Sequence, residues 1–250
     1  MILYNDDCFN IFPKIEDKSI ELFLLDLPYA NKKFGKCTAC GWDTPIDLEK
    51  MWVEIKRMMK PSAIIVFFCN TKFGYTLINS NPKLFSYQLI WEKSKAVGFL
   101  NSNKKPLVNI ENIYIFKKKQ GTYNPQKIKG KPYNKTNTGN NNNDSCAYGK
   151  IDRSNHLEGE EHRRINLGDR HPTSILKFKS LGKGTIHRTQ KPVDLLEWLI
   201  KTYTNEEDLV MDFCMGSGSC GMACKNTNRK FIGIEKDEEI FKLAEERLKN

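Results

Sequence analysis

The fold is decided by Asp208-Leu209-Val210-Met211-Asp212-Phe213-Cys214-Met215-Gly216-Ser217-Gly218-Ser219. Its first half is a short apolar run, which is typical of a buried strand, and a glycine-rich turn follows directly. About a dozen residues later comes a second apolar run, Phe231-Ile232-Gly233-Ile234, which ends at Glu235. The order of strand, glycine-rich turn, helix, strand and acid predicts a β-α-β unit of a parallel sheet.

The same unit predicts a site for an adenosine-containing cofactor. Glycines let the backbone approach a ligand closely, and an acid at the end of the next strand can accept hydrogen bonds from two ribose hydroxyls. The turn at Gly216-Ser217-Gly218 lacks the third glycine of the dinucleotide fingerprint and the Gly-Lys-Ser/Thr of a phosphate loop. NAD and ATP are therefore disfavoured.

A second informative stretch lies near the start of the chain, at Leu24-Leu25-Asp26-Leu27-Pro28-Tyr29. An apolar run bounded by a proline predicts a buried strand whose end delivers an acid and an aromatic ring into a cleft. Asp26 can accept a hydrogen bond from an amino group, and the Tyr29 ring can stack on the flat system that carries it. Because Asp-X-Pro is also common in turns, this stretch alone leaves a plain turn as the alternative.

These two stretches, together with His187-Arg188-Thr189-Gln190-Lys191-Pro192, resemble the motifs of amino-group DNA methyltransferases that use S-adenosylmethionine. In that family the catalytic motif is Asp-Pro-Pro-Tyr, the cofactor loop is Asp-Phe-X-X-Gly-Ser-Gly-Thr, and a His-Pro-Thr-Gln-Lys-Pro segment precedes the loop. The order here, with the catalytic motif first, resembles the permuted β class of small phage and bacterial enzymes. Leu27 and Arg188 replace prolines and Ser219 replaces a threonine, and none of these changes removes a reacting group.

The resemblance implies a Rossmann-like α/β methyltransferase fold, with a mainly parallel, doubly wound sheet and an inserted target-recognition region in a single domain. It implies that Asp26 and the backbone carbonyl of Leu27, next to Pro28, hold the target amino group, and that Tyr29 stacks on a flipped-out base. The cofactor-binding residues that it implies are Asp7, Thr189, Gln190, Lys191, Asp212, Phe213, Gly216, Ser217, Gly218 and Glu235, with Asp6 as an alternative to Asp7. Thr189 fits equally well as the cap of a following helix.

The predicted activity is methyl transfer from S-adenosylmethionine to adenine N6 in double-stranded DNA, because Asp heads the catalytic motif. Cytosine N4 is the alternative target, and a nonenzymatic nucleic-acid-binding protein that retains the fold is the alternative from another class. Methyl transfer at a ring carbon would require the thiolate of a Pro-Cys pair, and the chain contains no Pro-Cys dipeptide. Relatives suggest a homodimer and a cognate restriction enzyme as further partners, and the sequence leaves both open.

The charge of the chain favours a polyanionic partner. Lysine and arginine number 40 against 30 acids, which gives a formal charge of +10, and such a balance is typical of salt-sensitive binding to nucleic acid. Residues 117–135 hold lysines with no acid among them, interleaved with Tyr123 and Tyr133. An asparagine-rich stretch at residues 134–143 follows and predicts a loop. We assign residues 120–170 to target recognition, with Arg153, Asn155, Arg163 and Arg164 able to reach base edges; a solvated insertion is the alternative.

Other patterns complete the prediction. Apolar runs predict strands at residues 20–25, 63–69, 86–91 and 110–116, and a helix at residues 47–59. The eight cysteines are expected to be reduced. Cys37-Thr38-Ala39-Cys40 has no second Cys-X-X-Cys to complete a zinc site, so no metal is predicted. Without a run of roughly 18 apolar residues or a leader segment, a cytoplasmic protein with no membrane partner is expected.

Overall fold

The computed structural model describes residues 1–30, 44–136, 163–181 and 190–249. The predictions for Cys37, Cys40, Arg153, Asn155 and Thr189 therefore lie outside the described residues. The chain divides into two compact units, one formed by Met1–Asn124 together with Thr173–Asn250 and the other by Pro125–Pro172. A search of the described ranges finds no helix that is long and apolar enough to cross a membrane.

The elements alternate along the chain as the apolar runs predict. The strands are β1 (Ile2–Asn5), β2 (Ile20–Leu25), β3 (Met59–Cys69), β4 (Phe85–Val97), β5 (Val108–Lys117), β6 (Ile128–Lys129), β7 (Tyr133–Thr136), β8 (Arg163–Asn166), β9 (Asp169–Arg170), β10 (Ile175–Phe178), β11 (Leu209–Asp212) and β12 (Lys230–Glu235). The α-helices are α1 (Cys8–Ile11), α2 (Leu48–Met58), α3 (Thr71–Ser80), α4 (Val193–Tyr203), α5 (Ser219–Asn226) and α6 (Glu238–Lys249). The strands predicted at residues 20–25, 63–69, 86–91 and 110–116 and the helix at residues 47–59 are confirmed.

The larger unit is built on an eight-stranded sheet in the order β1-β12-β11-β2-β3-β5-β4-β10. Neighbouring strands are parallel, except that β5 runs antiparallel to both β3 and β4. Helical crossovers connect the parallel neighbours that are consecutive along the chain, α2 between β2 and β3 and α5 between β11 and β12. The mainly parallel sheet predicted from the sequence is confirmed.

The side chains of β2 show why both faces of this sheet are covered. Successive side chains of a strand point to opposite faces. Phe23 and Leu25 pack in the core on the side of α2, whereas Leu22 and Leu24 pack in the core on the side of α4. All four side chains are at most 2% exposed. A strand that is apolar on both faces fits a sheet with helices on either side, which is the predicted doubly wound arrangement.

Several boundaries differ from the prediction, and β3 begins at Met59 where the prediction began at residue 63. Strands β4 and β5 run past the predicted residues 86–91 and 110–116 into a long hairpin, whose tip is a short 3-10 helix at Phe99–Asn101. The added residues are largely polar or exposed, so they give no apolar run. Helix α4 begins at Val193 with the extended Pro192 at its N-cap position and no side-chain cap. Pro192, at ψ 131°, sets the boundary of the helix, so the N-cap position lies three residues after Thr189, which is outside the described residues.

The smaller unit, Pro125–Pro172, consists of two antiparallel strand pairs, β6 with β9 and β7 with β8. Lys129 Nζ lies 2.7 Å from Asp169 Oδ1, and the Arg170 guanidinium lies over the Tyr133 ring at 4.7 Å. Residues 134–136, predicted as loop, form the end of β7. The role in target recognition that the sequence predicts for residues 120–170 stays a prediction.

Candidate active site

A cleft of about 2090 Å³ opens where β1, β2, β11 and β12 end. The carboxyl-terminal edge of a parallel sheet is the usual place for ligands in such folds, because the loops there diverge. The cleft brings together predicted residues from both ends of the chain, and the following line it: Asp7, Asp26, Leu27, Pro28, Tyr29, Gln190, Lys191, Asp212, Phe213, Gly216, Ser217 and Glu235. Gly218 is not among the lining residues.

Glycine is required at two positions of the loop after β11, for a different physical reason at each. Gly216 has φ +52°, and a Cβ built there would meet no atom within 4 Å, so its backbone borders open space in the cleft. Gly218 has φ +75°, and its Cβ would lie 3.2 Å from Leu248 and 3.3 Å from Ala244. Gly216 therefore leaves the cleft open, whereas Gly218 allows the loop to pack against α6. Both conformations are ones that residues with a Cβ rarely adopt.

The carboxylate of Glu235, at the end of β12, is fixed between the loop and α6. Its Oε2 accepts from the Gly216 amide at 2.9 Å, and its Oε1 accepts from the Asp237 amide at 2.9 Å. Each carboxylate oxygen can accept more than one hydrogen bond, so Glu235 keeps capacity for a ligand hydroxyl. The end of β12 thus holds an oriented acceptor at the rim of the cleft.

Both acids after β1 line the cleft, so the geometry does not choose between them. Asp7 caps α1 by accepting from the Phe9 amide at 3.0 Å and pairs with Lys236 Nζ at 3.0 Å. Asp6 Oδ1 accepts from the Asp7 amide at 2.7 Å. The cofactor role predicted for Asp7, or alternatively Asp6, stays a prediction.

Asp212 is the most deeply placed acid of the cleft, at 6% exposure. Burial raises the pKa of its carboxyl to about 8, and the nearby charges of Asp26 and Glu235 act in the same direction. The Cys214 amide, which donates to Oδ1 at 3.1 Å, compensates only part of this. A cationic ligand group beside Asp212 would favour its ionised form. The adjacent Phe213 packs its ring on Phe12 at 5.1 Å and so belongs largely to the core.

The catalytic motif predicted from the sequence follows the end of β2. Tyr29 OH donates to Asp26 Oδ1 at 2.9 Å, and its ring stacks on Phe73 with centroids 5.5 Å apart. The Lys191 ammonium bonds to Asp26 Oδ2. Burial raises the pKa of Asp26, and the charge of Lys191 works against this rise. Lys191, which the sequence predicts at the cofactor, thus contacts the head of the catalytic motif.

Glu111, in β5, is a site residue that the sequence analysis missed. Its Oε1 lies 3.2 Å from Lys191 Nζ and 3.0 Å from Tyr29 OH, whose single hydrogen can be donated to Glu111 or to Asp26. Its Oε2 lies 2.5 Å from Lys93 Nζ. Burial raises the pKa of Glu111, but the charges of Lys191 and Lys93 outweigh this effect and hold the pKa below its usual value. The signal in the sequence is limited to an acid near the start of a mainly apolar run.

Gln190 and Ser217 are joined through α6. With its amide oriented to satisfy both atoms, the Gln190 oxygen accepts from Arg247 Nη2 at 3.1 Å. Arg247 Nη1 also donates to the Ser217 carbonyl at 2.9 Å. Burial lowers the pKa of the Arg247 guanidinium. This arginine, which the sequence analysis did not single out, ties the segment before α4 to the glycine loop.

A metal centre has no support among the residues described. No group of three or more His, Cys, Asp or Glu side chains in the described ranges could hold a metal ion. Cys220 and Cys224, one turn apart in α5, are buried in the core on the α4 side, as expected for packing residues.

Comparisons with known proteins give the family. The family model N6_N4_Mtase, described as DNA methylase, matches residues 20–246. Among similar sequences, the Type II methyltransferase M1.MboII of Moraxella bovis is 24% identical, over 97% of this chain and 94% of that protein. The Type II methyltransferase M.HpaI of Haemophilus parainfluenzae is 26% identical, over 94% of this chain and 69% of that protein.

Solved structures show the same fold. The M1.HpyAVI-SAM complex superimposes with a TM-score of 0.62 at 22% identity and covers 99% of both chains. PvuII DNA methyltransferase, described as cytosine-N4-specific, superimposes with a TM-score of 0.63 at 15% identity and covers 98% of this chain and 85% of that one. The match of the family model over most of the chain, on a shared fold, shows that this protein is a member of the N6_N4_Mtase family of DNA methylases.

Proposed function

We propose that this protein transfers a methyl group from S-adenosylmethionine to the N6 amino group of a flipped-out adenine in double-stranded DNA. The observation that carries the proposal is the meeting, in one cleft, of the Asp26 motif with the loop and acid of β11 and β12. Members of the family are DNA methylases, and one neighbour in fold is a complex with S-adenosylmethionine.

The chemistry of the cleft fits this cofactor. S-adenosylmethionine carries a ribose diol, an ammonium group and a positively charged sulfur. Glu235 offers a fixed acceptor for the diol, and the buried Asp212 offers a carboxylate that a cationic group would stabilise. The open space at Gly216 lets a ligand approach the backbone.

When bound, S-adenosylmethionine supplies a methyl group that is activated by the positive sulfur. The residues of the chain then act on the exocyclic amino group, whose lone pair is delocalised into the ring. Asp26 and the Leu27 carbonyl each accept one of its hydrogen bonds and so favour a more tetrahedral nitrogen. Both acceptors stabilise the positive charge that develops on that nitrogen, which is selective binding of the transition state. Pro28 and Tyr29 complete the wall against which the base would stack.

DNA is the partner that the surface supports. The chain carries a formal charge of +10. At the tip of the β4–β5 hairpin Phe99 and Leu100 are 78% and 95% exposed, close in sequence to Lys104 and Lys105. Val97, just before this tip, lines the cleft. An apolar tip flanked by lysines suits contact with a duplex whose base has been flipped into the cleft.

Cytosine N4 is the second candidate target. PvuII DNA methyltransferase, described as cytosine-N4-specific, shares this fold, and both reactions require the same acceptors for an amino group. We favour adenine because Asp rather than Ser precedes Leu27. Target recognition by residues 120–170, a homodimer and a cognate restriction enzyme stay predictions.

The test is incubation of the purified protein with S-adenosylmethionine and unmethylated genomic DNA, followed by mass spectrometry of the nucleosides. We expect N6-methyladenine from the wild type and none from Asp26→Asn, which keeps the shape of the side chain. Asp17→Asn is the matched control, because Asp17 is an exposed acid that pairs with Arg57 and is not among the residues that line the cleft. Detection of N4-methylcytosine would show that the target base is cytosine and not adenine. The absence of any methylated base from all samples would contradict the proposal.

A further inference from the structure

Both oxygens of the Asp26 carboxylate have a partner within the protein. Tyr29 OH donates to Oδ1, and the Lys191 ammonium bonds to Oδ2. The target amino group of the proposed function would donate a hydrogen bond to this same carboxylate. Each oxygen can accept a second hydrogen bond, but a base bound there would share the carboxylate with the positive charge of the Lys191 ammonium.

Glu111 provides the acceptor to which they can turn. Its Oε1 lies 3.2 Å from Lys191 Nζ and 3.0 Å from Tyr29 OH, so each group already stands between the two carboxylates. Lys191 and Glu111 are only 10% and 11% exposed as side chains, so water competes little for them. Lys93 binds the other oxygen of Glu111. The two carboxylates and two ammonium groups together form a neutral set.

We propose that the Lys191 ammonium occupies the place of the target amino group at Asp26 until the base arrives, and that Glu111 then receives Lys191. This inference rests on the proposed function and adds to it two positioning residues. The ammonium resembles the substrate, since it is a nitrogen that donates hydrogen bonds to Oδ2. Transfer to Glu111 needs only a change of partner, because the contact with Glu111 already exists.

The charges explain why such an exchange helps the reaction. The target nitrogen becomes positive as the methyl group arrives, and an ammonium held on Asp26 would oppose that charge. Glu111 neutralises Lys191, which leaves the charge of Asp26 for the reacting nitrogen. In the absence of a base, the Lys191 ammonium keeps Asp26 ionised, because a buried carboxylate without a cation would tend to take up a proton.

The first test is Glu111→Gln in single-turnover methyl transfer to unmethylated genomic DNA at saturating S-adenosylmethionine. Glutamine keeps the shape but cannot neutralise the ammonium, so Lys191 stays on Asp26 and the rate should fall by about tenfold or more. Binding of S-adenosylmethionine should be unchanged. The double variant Glu111→Gln with Lys191→Met should be faster than Glu111→Gln alone at pH 9, because the retained ammonium is gone. Rescue by a second deletion is not expected of residues that only support the fold.

Glu92→Gln is the matched control. Glu92 adjoins Trp91, the register partner of Glu111, but pairs with the exposed Lys177 at 3.4 Å. Its rate should stay within about twofold of the wild type, as for an exposed ion pair.

The second test is Lys191→Met alone, followed over pH. Among the described residues, the titratable or charged groups that interact with Asp26 are Tyr29, Lys191, Glu111, Asp212, Cys69 and Cys214, and Lys93 pairs with Glu111. Loss of the Lys191 cation, which contacts Asp26, should move the acid limb of the rate profile to higher pH. This variant keeps the inference open to refutation even if Glu111→Gln does not fold.

The inference is overturned if Glu111→Gln reacts at the wild-type rate, or if the double variant is no faster than Glu111→Gln. It is equally overturned if Lys191→Met leaves the acid limb in place and instead weakens binding of S-adenosylmethionine, as a cofactor ligand would. A wild type that methylates no DNA would contradict the proposed function itself, and is thus distinguishable from these results.

Discussion

Replacement of Gly216 by alanine separates the effect of backbone strain from the effect of a filled cleft. Gly216 has φ +52° and a Cβ there meets no atom within 4 Å, so the new methyl group causes no clash in the ligand-free protein. The left-handed conformation costs about 1–2 kcal/mol for a residue with a Cβ. The lower freedom of the unfolded chain offsets about 0.4–1 kcal/mol of this. We therefore expect the free energy of unfolding to fall by only about 1 kcal/mol.

Gly98→Ala is the control, because Gly98 has φ +95° and also meets no atom within 4 Å. Among the described residues, those that line the cleft do not include Gly98. The two variants should lose similar stability in urea unfolding, which corresponds to a fall in Tm of about 2–4 °C each. In calorimetric titration with S-adenosylmethionine, only Gly216→Ala should weaken binding, by about tenfold or ~1.4 kcal/mol. Unchanged affinity in Gly216→Ala, or equal weakening in Gly98→Ala, would show that the loop after β11 does not contact the cofactor.

Three further predictions concern stability, the DNA surface and pH. Arg57→Met should lower the free energy of unfolding by about 2 kcal/mol in urea, because Arg57 donates to the carbonyls of Phe12 and Ile15 at 2.6 and 2.8 Å. Phe99→Ala with Leu100→Ala should leave Tm unchanged, since both side chains are exposed, but should weaken DNA binding in fluorescence anisotropy by about fivefold, or ~1 kcal/mol. Because burial raises the pKa of Asp212 from 3.8 to about 8, the folded state binds this proton more tightly than the unfolded chain, and the carboxyl makes stability fall as pH rises between those values. Asp212→Asn should flatten this part of the curve of unfolding free energy against pH.

Local patterns predict β2, β3, β11 and β12 because each of these strands is an apolar run, whereas the short strands β1 and β10 were not predicted. Residues 20–25 are apolar throughout, since both faces of β2 are covered, and the observed strand has the same bounds. Asp26 and Glu235 were identified from the apolar runs that precede them, and Asp212 from the resemblance of its motif. They meet in the structure because the carboxyl ends of parallel strands lie at one edge of the sheet. The β4–β5 hairpin was underestimated in length because its outer residues are exposed and carry no apolar pattern.

Glu111 was missed for a reason that lies in the direction of its strand. In a parallel strand, a residue at the start lies at the edge opposite the cleft. Strand β5 is antiparallel to β3, so its first residues instead lie at the carboxyl end of β3, where Asn112 pairs with Cys69. An acid near the start of β5 therefore reaches the cleft. A sequence rule that considers only acids at the carboxyl ends of strands does not identify it. Finding it requires the register of β5 against its neighbours, which depends on contacts across the sheet and not on the residues beside Glu111 in the chain.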